Sequence, residues 1–197
     1  MQHRALQVIN VYADYQVLPK KLYPRLIIRD ETRLKYEREL NLKLEKMGNG
    51  GEKLMLISVS SNKEHCFLGS DRYATILNHL YKIQRFKVAI SSMPKDIQLA
   101  KELANKLIMP SAVVATEYLQ EAILLLDRAD IIFHGDGGLV HMAAALDKSQ
   151  VVLFGRSNLA KWQPLSDKAV CLVNDTDVKN IKEDKIIEAL KTVISAL

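Results

Sequence analysis

Cysteine is almost missing from this sequence: Cys66 and Cys171 are the two in 197 residues, far apart and without ligand-spaced neighbours. A disulfide framework and a structural zinc site are therefore both unexpected, and reduced thiols fit a cytoplasmic protein. Long apolar runs are lacking too. No window approaches 18 consecutive apolar residues, the length a membrane-spanning helix needs. The start, Met1-Gln2-His3-Arg4, has no apolar stretch of the kind a secretory signal carries. Repeats and low-complexity tracts are absent as well, and the eight glycines fall mainly at 48–51 and 135–138.

What is present is one good core's worth of apolar residues, 48% of the chain, enough for a single domain with an extension and too little for an enzyme of two full domains. Basic residues outnumber acidic ones, 28 to 23, giving a net charge of +5. Phosphate-bearing ligands, an anionic membrane surface or nucleic acid would each suit that excess. Much of it sits between Lys20 and Lys46, but Asp30, Glu31, Glu37, Glu39 and Glu45 are interleaved there. A solvated helix face fits this pattern better than a nucleic-acid or lipid patch, because no zinc-finger or Gly-aromatic signature accompanies it.

Residues 1–48 read as a helical connector: helical spacing at Ala5, Leu6, Ile9 and Tyr12, an extended Leu26-Ile27-Ile28, and a charged helix from Glu31 to Met47. Its scattered apolar residues (Leu6, Ile9, Tyr12, Leu22, Ile27, Leu34, Leu40) want a partner surface, and a homodimer through this segment is one expectation. Gly48-Asn49-Gly50-Gly51 then breaks the chain. From 49 to 197 strands and helices alternate. Strands are expected at Leu54–Val59, Phe86–Ile90, Ala112–Ala115, Ile131–His134, Val151–Phe154 and Ala169–Val173. Helices are expected at Asp71–Ile83, Lys95–Leu107, Glu117–Arg128, Leu139–Leu146 and Ile181–Ile194. This rhythm predicts an α/β fold with a Rossmann-like, doubly wound parallel sheet in the order 3-2-1-4-5-6, whose ligands bind beyond the carboxyl ends of the strands.

The richest of those carboxyl-end loops is His134-Gly135-Asp136-Gly137-Gly138-Leu139-Val140-His141, where a strand ends in a glycine-rich turn and a small-residue helix begins. Free N–H groups and the positive end of the helix dipole converge at such a start and favour an anion. His141, in the first turn, can add a side-chain donor. The plainer reading is that the glycines only make a tight turn, Asp136 caps the helix and His141 is a surface residue. The spacing is neither that of a P-loop nor that of the dinucleotide fingerprint.

From Ala129 to Leu146, followed by Val151-Val152-Leu153-Phe154-Gly155 and later by Trp162 and Pro164, the chain resembles glycosyltransferase family 9, which contains the lipopolysaccharide heptosyltransferases. The resemblance extends more weakly over about residues 50–197, with 1–47 similar to the connector between the family's two domains. It implies one half of a GT-B architecture, two Rossmann-like domains facing across a cleft, of which this half binds the nucleotide-sugar. Matched position by position, Asp136, Gly138 and His141 fall on the family's diphosphate-binding residues. Gly137 stands where a Ser or Thr is usual. Ser60 and Ser61 match a pair of small hydroxyl residues, and His65 and Phe67 stand where the family has Lys and Trp, with Lys63 either the substitute cation or, on the plainer reading, a solvated loop lysine. Glu117 lies where the family covers the base, and is equally a helix-dipole partner. The resemblance further implies inverting transfer without a metal or other cofactor, the base belonging to an N-terminal acceptor domain that this chain lacks.

The resulting expectation is the donor half of a heptosyltransferase-like enzyme of lipopolysaccharide or lipooligosaccharide core synthesis, inactive as this chain alone. It would be cytoplasmic, at the inner face of the inner membrane and peripherally associated with it, with a nucleotide-sugar donor, a lipopolysaccharide-type acceptor once completed, and no nucleic-acid partner. The alternative is a non-catalytic nucleotide-binding or partner-binding remnant of such an enzyme.

Overall fold

The computed structural model describes residues 23–48, 50–60 and 64–197. The helix expected at Ala5–Tyr12 lies outside these residues, as do Ser61 and Lys63. In chain order the elements are α1 (Asp30–Glu45), β1 (Lys53–Ser58), α2 (Ser70–Ile83), β2 (Phe86–Ser92), α3 (Ile97–Lys106), β3 (Ser111–Ala115) and α4 (Leu119–Arg128). There follow β4 (Ile131–Gly135), α5 (Gly138–Ala145), β5 (Ser149–Phe154), α6 (Leu159–Trp162), β6 (Ala169–Val173) and α7 (Glu183–Ser195).

The six strands form one sheet in the order β3-β2-β1-β4-β5-β6, every neighbouring pair parallel. Both the order and the direction are those expected from the sequence. The central strands are short apolar runs because helices cover both faces, and β2 is buried at every position, whereas the edge strand β6 is only half-buried. One face packs under α2, α3 and α7 through Tyr73, Ile76, Leu103, Ile186 and Leu190 against Met55, Ile57, Val88 and Ile90. The other packs under α1, α4 and α5 through Leu40, Leu125 and Ala143 against Leu56, Ala89 and Ile132. A smaller cluster of Val140, Val152 and Phe154 continues toward Trp162.

Four of the nine charged residues of α1 pair within the chain. Arg33 pairs with Asp127 on α4 at 2.9 Å, Arg128 reaches back to Glu37 and Asn41, and Lys43 pairs with Glu39 at 2.7 Å. Of its apolar residues Leu40 is buried, while Leu34 and the preceding Ile27 are exposed. Residues 23–29 run without regular structure, and Leu26 N–H donates to the Ala145 carbonyl at 2.8 Å. Gly48, with φ of 80°, turns the chain out of α1 in a conformation that a side chain resists.

Three helix starts lie two residues beyond expectation, for local reasons. The helix placed at Lys95 opens as a 3-10 turn, Pro94–Asp96, and becomes α-helical at Ile97. The helix placed at Glu117 begins at Leu119, because the Glu121 carboxylate accepts from the N–H of both Glu117 (2.7 Å) and Tyr118 (3.1 Å). Glu117 is thus an exposed loop residue, not a first-turn one. The last helix starts at Glu183, since Ile181 N–H closes a 3-10 turn onto the Val178 carbonyl at 3.1 Å. The four-residue α6 was not expected; Asn158 starts it by accepting from Lys161 N–H.

Candidate functional site

Parallel-sheet order reverses direction between β1 and β4, and the loops there part to leave a crevice. A cleft of about 380 Å³ occupies it. Ser58 and Ser60 line it from the end of β1, Cys66 and Phe67 from the following loop, and Met93 from the end of β2. The run from His134 to Leu139 and His141 line the opposite side, and Trp162 closes a wall.

Two glycines allow this shape. A 3-10 turn, Glu64–Cys66, presses its backbone onto the ends of β4 and β5. A β-carbon at Gly135 would stand 1.9 Å from the Cys66 carbonyl oxygen, and one at Gly155 would stand 2.5 Å from that of His65. No side chain fits at either position without moving backbone. At Gly137 and Gly138 the reverse holds, for a β-carbon there meets nothing within 4 Å. The first pair permits contact; the second leaves room.

That room lies over the start of α5. Gly137 is its N-cap, with extended backbone (φ −179°), and Val140 N–H already turns back to the Gly137 carbonyl. The N–H groups of Gly138 and Leu139 have no acceptor inside the helix by its geometry. They open toward the cleft that both residues line. Asp136 stands one residue before the N-cap position, which Gly137 holds, whereas the plainer sequence reading makes Asp136 the cap. It is buried, its N–H donates to the Leu153 carbonyl at 2.9 Å, and its carboxylate accepts from the Ser157 hydroxyl. It thereby ties the turn to the end of β5. The Ser60 hydroxyl accepts from Met93 N–H at 2.8 Å, which fixes the ends of β1 and β2 relative to each other.

The structure therefore gathers Ser60, Asp136, Gly137, Gly138 and His141 around one cleft. His65 is close by but seated on Gly155 and outside the lining, and Glu117 stands in the exposed loop after β3. Sequence reasoning gave no role to His134, which lies 98% buried at the end of β4 with its Nε2 3.1 Å from Gln150 Oε1. Burial pushes its pKa down to about 4, so the ring is neutral at pH 7. A signal was there: Ile131-Ile132-Phe133 is a buried strand, and a histidine ending it points to the site end of the sheet. Among the described residues no three His, Cys, Asp or Glu side chains cluster as metal ligands, and Cys66 and Cys171 are not joined in a disulfide.

Over residues 8–191 the chain matches the family model described as glycosyltransferase family 9 (heptosyltransferase). The chain belongs to glycosyltransferase family 9. A structure of a family member from Veillonella parvula DSM 2008 superposes with a TM-score of 0.84 at 18% identity, covering 100% of this chain and 61% of that one. The E. coli ADP-heptose lipopolysaccharide heptosyltransferase II superposes with a TM-score of 0.78 at 20% identity, covering 99% and 62%. An E. coli heptosyltransferase solved with ADP gives 0.66 at 13% identity, covering 77% and 47%. These likenesses establish the Rossmann-like fold of a GT-B half, and the chain spans about three fifths of the length of the first two proteins. A search of curated protein sequences finds no relative. Among the described residues no helix is long and apolar enough to cross a membrane.

Proposed function

We propose that the cleft binds the diphosphate of a nucleoside-diphosphate sugar, and that the chain is the donor-binding half of a heptosyltransferase-like glycosyltransferase. One observation carries this reading: a glycine turn with open space above it starts α5 at the sheet's reversal point, and His141 faces the same cleft. Two unpaired N–H groups, a helix dipole and an imidazole there form an anion site that needs no metal. The same groups would stabilise the diphosphate as it leaves the anomeric carbon, which is where negative charge develops in glycosyl transfer. The acceptor hydroxyl and the base that deprotonates it would come from a second domain facing the cleft. The family then suggests lipopolysaccharide-type core synthesis at the cytoplasmic face of the inner membrane, with the donor and acceptor as partners.

Ser61 and Lys63, the residues next to the cleft by sequence, belong to this proposed site together with Ser60; Gly137 contributes backbone where the family has a hydroxyl. The test is calorimetric titration of the chain and of His141→Ala with ADP, UDP, adenosine and uridine. Loss of one charge-assisted hydrogen bond, worth about 1.5 to 3 kcal/mol, weakens the nucleotides roughly ten- to a hundredfold. The nucleosides should be unaffected, and the chain alone should transfer no sugar. Equal losses for nucleosides and nucleotides, or no loss for either, would mean that His141 has only a structural part.

A further inference from the structure

The cleft holds a second histidine whose chemistry is opposite to that of His141. Gln150, fully buried on β5, donates through Nε2 to the Val140 carbonyl at 3.2 Å. A backbone carbonyl can only accept, so the amide nitrogen must face it, and the Gln150 oxygen must then face His134. That oxygen also can only accept. The proton of the neutral His134 ring is therefore on Nε2, and Nδ1 carries a bare lone pair. Nδ1 has no hydrogen-bond partner among the described residues, although the side chain is 98% buried and lines the cleft. The ring also lies within electrostatic reach of Asp136 and His141, both lining residues.

A molecule that fills the cleft takes water away from this acceptor, which costs free energy unless the molecule supplies a donor in its place. We propose that His134 is a specificity-determining residue of the cleft, its Nδ1 accepting a hydrogen bond from a hydroxyl of the bound nucleotide-sugar beside the diphosphate. This rests on the donor-site reading above. A phosphate oxygen cannot satisfy Nδ1, since both atoms present lone pairs; the helix start and His141 serve the phosphates. Because burial keeps the ring neutral, its polarity does not invert at physiological pH. Fixing the tautomer through Gln150 and the α5 backbone makes the cleft read a donor at one position and an anion at the next. The hydroxyl belongs either to the ribose or to the transferred sugar.

Two substitutions separate the two ring nitrogens. His134→Gln can place a donor near the Nε2 position and keep the bond to Gln150, but loses the acceptor at Nδ1. His134→Asn places its oxygen near the Nδ1 position and abandons Gln150. Each variant and the unmodified chain would be titrated with inorganic pyrophosphate, with ADP or UDP, whichever binds, and with that nucleotide's sugar ester. His134→Gln should keep the thermal midpoint and pyrophosphate affinity while weakening the sugar nucleotide about five- to tenfold. An equal loss with the plain nucleotide assigns the ribose hydroxyl, and a loss confined to the ester assigns the sugar. His134→Asn should lower the thermal midpoint yet keep the affinity. In the unmodified chain, the Nδ1 nitrogen resonance should move in the sense of an accepted hydrogen bond on adding the ester and stay put on adding pyrophosphate. A His134→Gln variant that binds all ligands like the unmodified chain, or loses pyrophosphate as much as the ester, or an unmoved Nδ1 resonance in the ester complex, overturns the inference alone. An unmodified chain that binds none of the ligands removes the donor-site reading and the inference with it.

Discussion

The two ends of the sheet are built on different terms. At the amino end the chain is tied by side chains. Lys87, 6% exposed at the start of β2, donates to the Gly48 and Gly50 carbonyls and pairs with Glu52 at 3.3 Å. Asp130 accepts from Leu54 N–H at 2.8 Å and returns its own N–H to the Leu54 carbonyl at 2.9 Å. At the carboxyl end, backbone rests on glycine, and N–H groups open onto unfilled space over Gly137 and Gly138. Polar groups are satisfied internally at one end, while at the other the N–H groups of Gly138 and Leu139 are left facing the cleft. A fold can lose stability at the first end and keep its site, or lose the site at the second and keep its stability.

The largest effect expected is at Gly135, where the carboxyl end has no slack. Gly135→Ala forces the Cys66 carbonyl aside and should cost about 3 kcal/mol or more, with loss of nucleotide binding. Urea unfolding beside an ADP titration measures both, and an unchanged midpoint would show that the turn can yield. Acid comes next. The folded-state pKa of His134 lies near 4, below the 6.5 of an unfolded histidine, so the unfolded chain binds the extra proton. Its contribution is intact above pH 6.5 and is lost as pH falls from 6.5 through 4, about 3 kcal/mol in all. Comparing urea midpoints of the chain and of His134→Gln at pH 7 and 4.5 isolates that loss, and identical pH slopes would count against it.

At the other end, Lys87→Met removes the clasp while keeping most of the side chain's volume. It should cost about 2 kcal/mol of stability and leave ADP affinity unchanged; a variant that binds poorly while still folded would erase the distinction between the ends. The smallest effect is a gain. The extended backbone and empty surroundings of Gly137 accept a side chain, so Gly137→Thr should add a hydroxyl donor and strengthen nucleotide binding about two- to fivefold without shifting the urea midpoint.

The strands were legible because each is a short apolar run bounded by polar turns, and parallel order follows from helices between them. The turn at Gly135–Gly138 was legible because glycines there sit between a strand and a small-residue helix. Contacts between distant segments were not. Nothing in the sequence couples His65 to Gly155 or Cys66 to Gly135, yet these backbone approaches shape the cleft. Glu117 was misplaced by two residues because a carboxylate four positions on took the helix start. The Asp136 side chain accepts from Ser157, a tertiary partner that local sequence does not reveal. His134 was visible as a letter, but its tautomer depends on Gln150 across a strand boundary.

The seam beneath the cleft also dictates when the site comes into being during folding. β1–β2–β3 and β4–β5–β6 are each laid down by neighbours in sequence, whereas the central pairing joins residues 55–57 to 131–133. Closing so long a loop is the costly entropic step and follows the local pairings. Until it happens the Gly135 turn and the Cys66 carbonyl are on separate half-sheets, and a half-sheet has no cleft. On the proposed function a nucleotide would bind only chains whose seam is already shut and would hold it shut by mass action, so that this region should be among the last to exchange its amide hydrogens when ligand is present.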